Sequence, residues 1–421
     1  MTISFVLVVI GVLWLLAMLQ GLESLRGGLR FYRYVKSQIC RPRHERPFTP
    51  PAAVLLPCCG LDDRLADTVE SLSRQNYPDY EVIFAFESVD DPAYAAVGRW
   101  AAGWRTVRWK RVVAGRAETR SQKIHNLLAA LAAVSPDREV LAFLDSDAVP
   151  HSDWLRYLVA PLAEPGVGAA TGFRWYTTNG NIASGIRSAW NAASVSFLHD
   201  DRLNFCWGGS TAIRRADFDR LKIASKWQRA LSDDYQVTRA VRSADLRIRF
   251  VPQCLIPCME QTTMRGFLTF ARRQLVITRV CAPVLWKAGV ALASNFNLGA
   301  TAVLALGIYA GAHERTVMAA VAFSAWGLII ALAAAKSALR QLAVRMILKS
   351  PSVSWRDFMW DVVGVGPVGV LHLGLLISSA RSRRINWRST EYEMVSPDET
   401  LVLGRTSPGP RLTAEPVVSL S

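Results

Sequence analysis

Residues 141–150 read LAFLDSDAVP. An apolar run delivers two carboxylates, Asp145 and Asp147, one residue apart, where a buried strand would end. Charges that close repel each other, so something has to hold them together. They could bind a divalent cation, supply a nucleophile, or cap the next helix. The lead-in EVLAFLD is a continuous apolar run of the kind buried on both faces of a sheet, and Pro150 closes the segment.

Working outward, PPAAVLLPCCG reads as a strand and then a loop, and LADTVESLSRQNYP as a helix with Leu65, Val69 and Leu72 on one face. YEVIFAFES is a second strand, and VDDPAYAAVGRWAAG opens a second helix with acidic residues in its first turn. VRWKRVV is a third strand and SQKIHNLLAALAAV an amphipathic helix. Strands alternating with helices imply an α/β fold with a parallel sheet and a crossover in each unit. Such sheets bind ligands outside the carboxyl ends of their strands. Asp145 and Asp147 fall there.

The chain has 421 residues, of which 51% are hydrophobic, and the excess sits in blocks. Residues 2–22, 288–312, 316–335 and 362–380 carry no charged side chain, and crossing a bilayer takes about 20 apolar residues. The first block lacks a basic leader and a small-residue cleavage site, so it reads as an uncleaved anchor. Arg26, Arg30, Arg33, Lys36, Arg41 and Arg43 follow it, and the positive-inside rule puts them in the cytoplasm. The predicted organisation is an anchor (1–24), a basic juxtamembrane linker (25–50), a catalytic domain (51–262), an interfacial amphipathic segment (263–286), transmembrane helices with an interfacial helix (287–380), and a basic, then disordered, tail (381–421). The interfacial helix is ALRQLAVRMILK (338–349), with Leu339, Leu342, Ala343, Met346 and Ile347 on one face. The net charge of +15 suits an anionic leaflet, and the apolar blocks argue against nucleic acid as partner. Seven cysteines without ligand spacing predict buried free thiols rather than a zinc site.

A second acidic site is ALSDDYQVTRAV, with Asp233 and Asp234 in the first turn of a helix. Carboxylates there stabilise the helix, and one could also act as a general base toward a hydroxyl. The string around Asp145 resembles the haloacid-dehalogenase phosphatase signature, in which the first Asp is a nucleophile. A phosphatase would place its second acidic pair after an apolar strand, and the lead-in IASKWQRAL is not one.

Residues 53–94 resemble the opening of family 2-type glycosyltransferases, most closely the ceramide glucosyltransferase branch. Shared features are Tyr-Pro-x-Tyr-Glu-Val, the Asp-Asp-Pro after the second strand, and a Lys-Ile-x-Asn-Leu helix (Lys123 to Leu127). The D-S-x strand end, Asp233-Asp234-Tyr235 and a terminal Ile-x-Trp-Arg-x-x-x-Tyr (Ile385 to Tyr392) complete the set. The resemblance spans about 50–392. It implies a GT-A fold, a Rossmann-like nucleotide-diphospho-sugar transferase domain, with a UDP-sugar donor, a lipid acceptor and Mg²⁺ or Mn²⁺. Pro57, Glu87, Asp90 or Asp91, Lys123 and Asp145 would line the nucleotide, and Asp145 and Asp147 would hold the metal. Asp234, beside Asp233, would take the acceptor's proton. Trp207, Gly208 and Gly209, in FCWGGSTAIRR, would lie by the acceptor, the glycines allowing close backbone approach.

One departure stands out. The family's Q/R-x-x-R-W stretch is here Phe270-Ala-Arg-Arg273-Gln274, so Arg273 keeps the arginine, with the diphosphate as its expected partner, and the Trp is lost. In processive synthases that Trp binds the growing chain, so its absence favours addition of a single sugar. Four full spans from an outside N-terminus would leave RSRRINWRSTEYE outside, against the positive-inside rule. Either one block is re-entrant or interfacial, with residues 362–380 (four glycines, Pro367 and His372) the first candidate, or an amphipathic segment crosses.

Overall fold

A computed structural model describes residues 2–40, 48–178, 180–348 and 354–405. Arg41, Arg43 and residues 406–421 of the expected tail lie outside them. Helix α1 (Thr2–Ile39) is about 57 Å long at 1.5 Å per residue, well beyond the ~30 Å hydrocarbon core. The start of the expected linker is therefore helical. Its C-terminal half docks on the domain: Phe31 and Val35 are fully buried, and the Tyr34 hydroxyl donates to the Phe250 carbonyl at 2.5 Å.

The domain follows in the expected order. It begins with β1 (Ala52–Pro57), α2 (Leu65–Ser73), β2 (Tyr80–Phe86), α3 (Pro92–Ala101), β3 (Arg108–Val113), α4 (Gln122–Ala132) and β4 (Val140–Leu144). Then come α5 (Trp154–Val159), β5 (Val167–Tyr176), α6 (Ile182–Val195), β6 (Ser210–Arg214), α7 (Arg215–Arg220), α8 (Ile223–Lys226), α9 (Asp233–Ser243) and β7 (Arg247–Cys258). The seven strands form one sheet, ordered β3-β2-β1-β4-β6-β5-β7. Its strands alternate burial between two apolar layers: Val54 and Leu56 pack with Leu65, Val97 and Trp154, whereas Ala53 and Leu55 pack with Ile124, Leu127 and Trp227. The strands read from the sequence, β1 to β4, pair in parallel, and β6, which that reading did not name, runs antiparallel to β4 and β5. The chain returns through α6 and a loop instead of a crossover helix. Between β1 and β4 the strand order reverses, which opens a crevice at their carboxyl ends.

Beyond the sheet lie α10 (Met264–Cys281), α11 (Pro283–Ala312), α12 (Thr316–Ile347), α13 (Trp355–Val363) and α14 (Val365–Ala380). Among the described residues, α1, α11 and α12 are long and apolar enough to cross a membrane, and α13 and α14 form a pair bent by 66°. α10, which covers most of the segment expected to be interfacial, packs Phe267, Ala271 and Leu275 against Trp190, Leu375 and Leu376. The separate interfacial helix expected at 338–349 is instead the end of α12, with Leu342 exposed and Ala343 and Val344 buried. Arg340 fixes this end by donating to Asp361 of α13, at 3.0 Å from Nε, while Gln341 donates to the same carboxylate at 2.9 Å.

The tail corrects another expectation. Strands β8 (Arg384–Trp387), β9 (Thr390–Ser396) and β10 (Glu399–Arg405) form an antiparallel sheet, so the part of the tail expected to be disordered begins with ordered strand. Ile385, Tyr392 and Met394 are its buried face. All seven cysteines are free thiols, five of them buried.

Candidate active site

The crevice is built by strand ends. Pro57 ends β1, and Asp145 follows directly on β4. The Asn126 amide, from α4, donates to the carbonyls of Cys58 at 3.0 Å and Ala85 at 3.2 Å, pinning the ends of β1 and β2. Ser121 caps α4 by accepting from Ile124 N, which sets Lys123 in the first turn. Its ammonium bridges Asp145 Oδ1 at 2.9 Å and Asp233 Oδ2 at 3.1 Å. Arg174, from β5, reaches the opposite side of the pair. It donates to Asp145 at 3.2 Å and to both oxygens of Asp147 at 2.7 and 2.5 Å. The result is a line of alternating charge: Asp233, Lys123, Asp145, Arg174, Asp147.

Burial raises the cost of every charge in this line, and the partners decide each outcome. Burial alone would lift the Asp147 carboxyl, but Arg174 holds it well below the usual range. Burial would likewise lower the Lys123 ammonium, and Asp145, Asp233 and Asp234 keep it above its ordinary value instead. Asp233 goes the other way: burial, with Asp234 and Asp145 nearby, pushes it up to about 6 despite Lys123.

Asp234 is held differently. Ser232 caps α9, and Asp234 Oδ1 accepts from the Ser232 hydroxyl and from Tyr235 N, the latter at 2.8 Å. Oδ2 meets only the amide of Gly208, at a long 3.4 Å. Asp234 pairs with no cation among the described residues. A Cβ on Gly208 would lie 2.2 Å from Asp233 Oδ2, and one on Gly209 would lie 2.2 Å from the Trp207 ring and 2.5 Å from Asp145. The absence of a side chain at both positions lets the backbone pass close to Asp233, Trp207 and Asp145. Trp207 lies under the Arg174 guanidinium at 5.2 Å. Arg273 stacks on Phe270 and Trp387 at 5.6 and 5.2 Å. Burial lowers its pKa to about 10, and the neighbouring arginines Arg388 and Arg174 add to that while Tyr176 and Asp145 oppose it. It remains a cation without a described carboxylate partner.

Most sequence-predicted residues converge on one cavity of about 2520 Å³, lined by Pro57, Glu87, Lys123, Asp145, Asp147, Trp207, Asp233, Asp234 and Arg273. Asp90 and Asp91 are not part of its wall. Asp91 caps α3 and accepts from Gly60 N at 2.9 Å, and Asp90 bonds to Ser88. Three residues escaped the sequence reading: Arg174, Asp62 and Arg388. Asp62 accepts from the Ser146 hydroxyl at 2.9 Å and from Arg388. Arg388 stood within the quoted terminal motif, whereas Arg174 had no signal beyond being the one charge in the strand VGAATGFRWY.

The cavity continues from the carboxylates to apolar helix surface at Trp286, Phe296 and Leu376. Among the described residues no set of three His, Cys, Asp or Glu side chains could hold a metal. The donor set is two hard carboxylates in a crevice with room for phosphates. That fits Mg²⁺ or Mn²⁺, which bind through one or two carboxylates plus substrate phosphate and water.

Paired carboxylates thus stand at the switch point of a mixed α/β sheet. The chain belongs to glycosyl transferase family 21, whose model matches residues 13–400. This removes the phosphatase alternative. Among solved structures the chain is similar to a mannosyltransferase from Pyrobaculum calidifontis in complex with GDP-mannose and Mn²⁺. That match has 17% identity, covers 87% of this chain and 97% of the other, and has a TM-score of 0.47. It is also similar to glucosyl-3-phosphoglycerate synthase from Mycobacterium tuberculosis in complex with Mn²⁺ and UDP-glucose, at 16% identity, 54% and 77% coverage, and a TM-score of 0.33.

Proposed function

We propose that this glycosyltransferase moves a hexose, with inversion, from a nucleotide-diphospho-sugar to the hydroxyl of a membrane lipid. UDP-glucose and a ceramide-like acceptor are the first pair to test. The observation that carries the reading is the continuity of the cavity between the charged crevice and the apolar surface of α11 and α14. A polar donor can enter from the aqueous side while a lipid hydroxyl arrives from the bilayer.

Asp234 is the base in this scheme. Its Oδ2 takes the proton as the acceptor oxygen bonds to the anomeric carbon from the face opposite the leaving group. The bond from that carbon to the diphosphate oxygen breaks, its electrons stay with the diphosphate, and the single displacement inverts the centre. Lys123 and Arg174 keep Asp145 and Asp147 in place, and Arg273 offers an unpaired cation to the diphosphate. A bound Mg²⁺ or Mn²⁺, held by Asp147 and Asp145, would neutralise charge on the leaving group. The test is full-length protein in nanodiscs with labelled UDP-glucose and GDP-mannose, lipid extract, and Mg²⁺ or Mn²⁺ or EDTA. Labelled sugar appearing in lipid only with metal supports the proposal. No lipid-linked sugar from any donor refutes it.

The membrane arrangement we propose places the N-terminus outside and residues 51–262 in the cytoplasm, anchored by α1. Arg388 and Arg405 of the tail sheet bond to Asp62 and Glu87 of the domain, so tail and domain share one side. An even number of crossings must separate them. α11 and α12 supply two as a hairpin. α14, with 16 residues, spans only about 24 Å, so the bent α13–α14 pair enters and returns. A cysteine placed at the exposed Asn386 (Asn386→Cys) should label only from the cytoplasmic side. Labelling from outside would overturn the arrangement.

A further inference from the structure

The tail sheet covers the nucleotide end of the crevice, and three of its contacts hold it there. Arg405 of β10 donates to Glu87 at 2.5 Å and to the Gln122 side-chain oxygen at 2.8 Å. The Tyr392 hydroxyl of β9 accepts from Gln122 N at 3.2 Å. Trp387 of β8 stacks on Arg273. These contacts reach the end of β2, the start of α4 and helix α10, and together they fix the sheet's position.

Arg388 does something else. It occupies the turn between β8 and β9 with φ at +53°, a left-handed conformation that side chains other than glycine seldom adopt and that persists only where the surroundings impose it. The turn aims its guanidinium at Asp62, with two parallel bonds of 3.0 and 2.8 Å. Asp62 is in turn bonded by Ser146, the residue between Asp145 and Asp147. Arg388 thus stands two side chains from the carboxylate pair, lines the cavity, and keeps 37% of its side chain open. The planar fork that fits a carboxylate also fits phosphate oxygens. Lys123 and Arg174 are each spent on two carboxylates. Of the cations nearest the carboxylate pair, that leaves Arg273, with no carboxylate partner among the described residues, and Arg388, bonded to Asp62.

We infer that Arg388 is a donor-binding residue: on arrival of the nucleotide sugar, its guanidinium exchanges Asp62 for oxygens of the diphosphate. The inference rests on the proposed use of a nucleotide-diphospho-sugar. It makes the tail sheet part of the donor site, with the exchange of one ion pair for another sparing the arginine a fresh desolvation.

The test compares nucleotides that differ by one phosphate. Titration calorimetry on the full-length protein in nanodiscs, with Mg²⁺, measures UDP against UMP and GDP against GMP. Arg388→Gln should weaken the preferred diphosphate at least tenfold and leave its monophosphate within threefold, and Arg388→Lys should recover part of the loss. Asp62→Asn frees Arg388 and should leave diphosphate affinity equal or tighter. Equal losses for diphosphate and monophosphate in Arg388→Gln, no loss for either, or a loss in Asp62→Asn as large as that in Arg388→Gln would overturn the inference. If the wild-type protein binds no nucleoside diphosphate, the inference and the proposed function fall together. Wild-type binding with an unaffected Arg388→Gln overturns the inference alone.

Discussion

Replacing Asp234 by Asn tests the assignment of the base, and the hydrogen bonds around it fix the expected result. The Asn carbonyl oxygen can take over both bonds of Oδ1, from Tyr235 N and the Ser232 hydroxyl, so the start of α9 should be unchanged. The amide nitrogen then replaces Oδ2. At that position the carboxylate gives up only a 3.4 Å contact with Gly208 N, which is too long to carry much energy. The structural cost is therefore small and the chemical cost large, since an amide cannot take a proton from an attacking hydroxyl. Loss of a general base typically slows turnover by roughly 10²- to 10⁴-fold, or about 3–5 kcal/mol at the transition state. Initial rates of labelled-sugar transfer give kcat, and calorimetry with the nucleoside diphosphate gives affinity on the same preparation. The expected outcome is a fall in kcat of that size with affinity within threefold of wild type. Turnover within tenfold of wild type would remove Asp234 as base. A parallel collapse of nucleotide affinity would make it a donor-positioning group instead.

Two further perturbations probe the charged interior. Asp233 has its carboxyl raised from 3.8 to about 6, so between roughly pH 4 and pH 6 the folded protein holds a proton that the unfolded chain has lost. The stability this contributes is complete below about pH 4 and disappears as pH rises through about 6. Asp233→Asn cannot ionise, so its Tm should match wild type near pH 4 and rise relative to it by pH 7; a constant difference would refute the assignment. Arg340 and Asp361 are 4% and 2% exposed, and removing one partner leaves a buried charge alone at a cost of about 3–5 kcal/mol. Arg340→Met should lower thermal stability in detergent strongly, and adding Asp361→Leu should restore much of it. Equal instability of the single and double variants would show that the pair acts through something other than charge compensation.

What the sequence disclosed divides along physical lines. Strands β1, β2 and β4 were legible because burial on both faces leaves apolar runs, which local composition records; β3, at the sheet edge, is only partly buried and was read from its place in the strand–helix alternation. The reversal at β6 was not, because STAIR reads alike in either direction and its sense is set by the route of the chain through α6. The tail shows composition misleading: SPDET looks like a linker, yet it is the turn between two strands whose apolar residues alternate, with Tyr392 and Met394 facing inward. A small sheet lying on a domain buries one face only, so half its residues are polar and the whole reads as loop. Arg174 was hidden for a different reason. Its role depends on which strand ends lie beside β5, a tertiary fact with no sequence period.

The same contacts explain how two aspartates can stand one residue apart at the end of a buried strand. Repulsion between Asp145 and Asp147 is offset by Arg174, which bonds to both, and by Lys123, which ties Asp145 to Asp233. Each of these three carboxylates is thereby paired with a cation. Asp234 accepts only from neutral donors, and its Oδ2 is bonded weakly. Of the four, it is the one that pairs with no cation among the described residues. Charge pairing thus separates the proposed tasks more sharply than position does: adjacent residues of one helix, Asp233 and Asp234, fall on opposite sides of the division because Lys123 reaches the first and not the second.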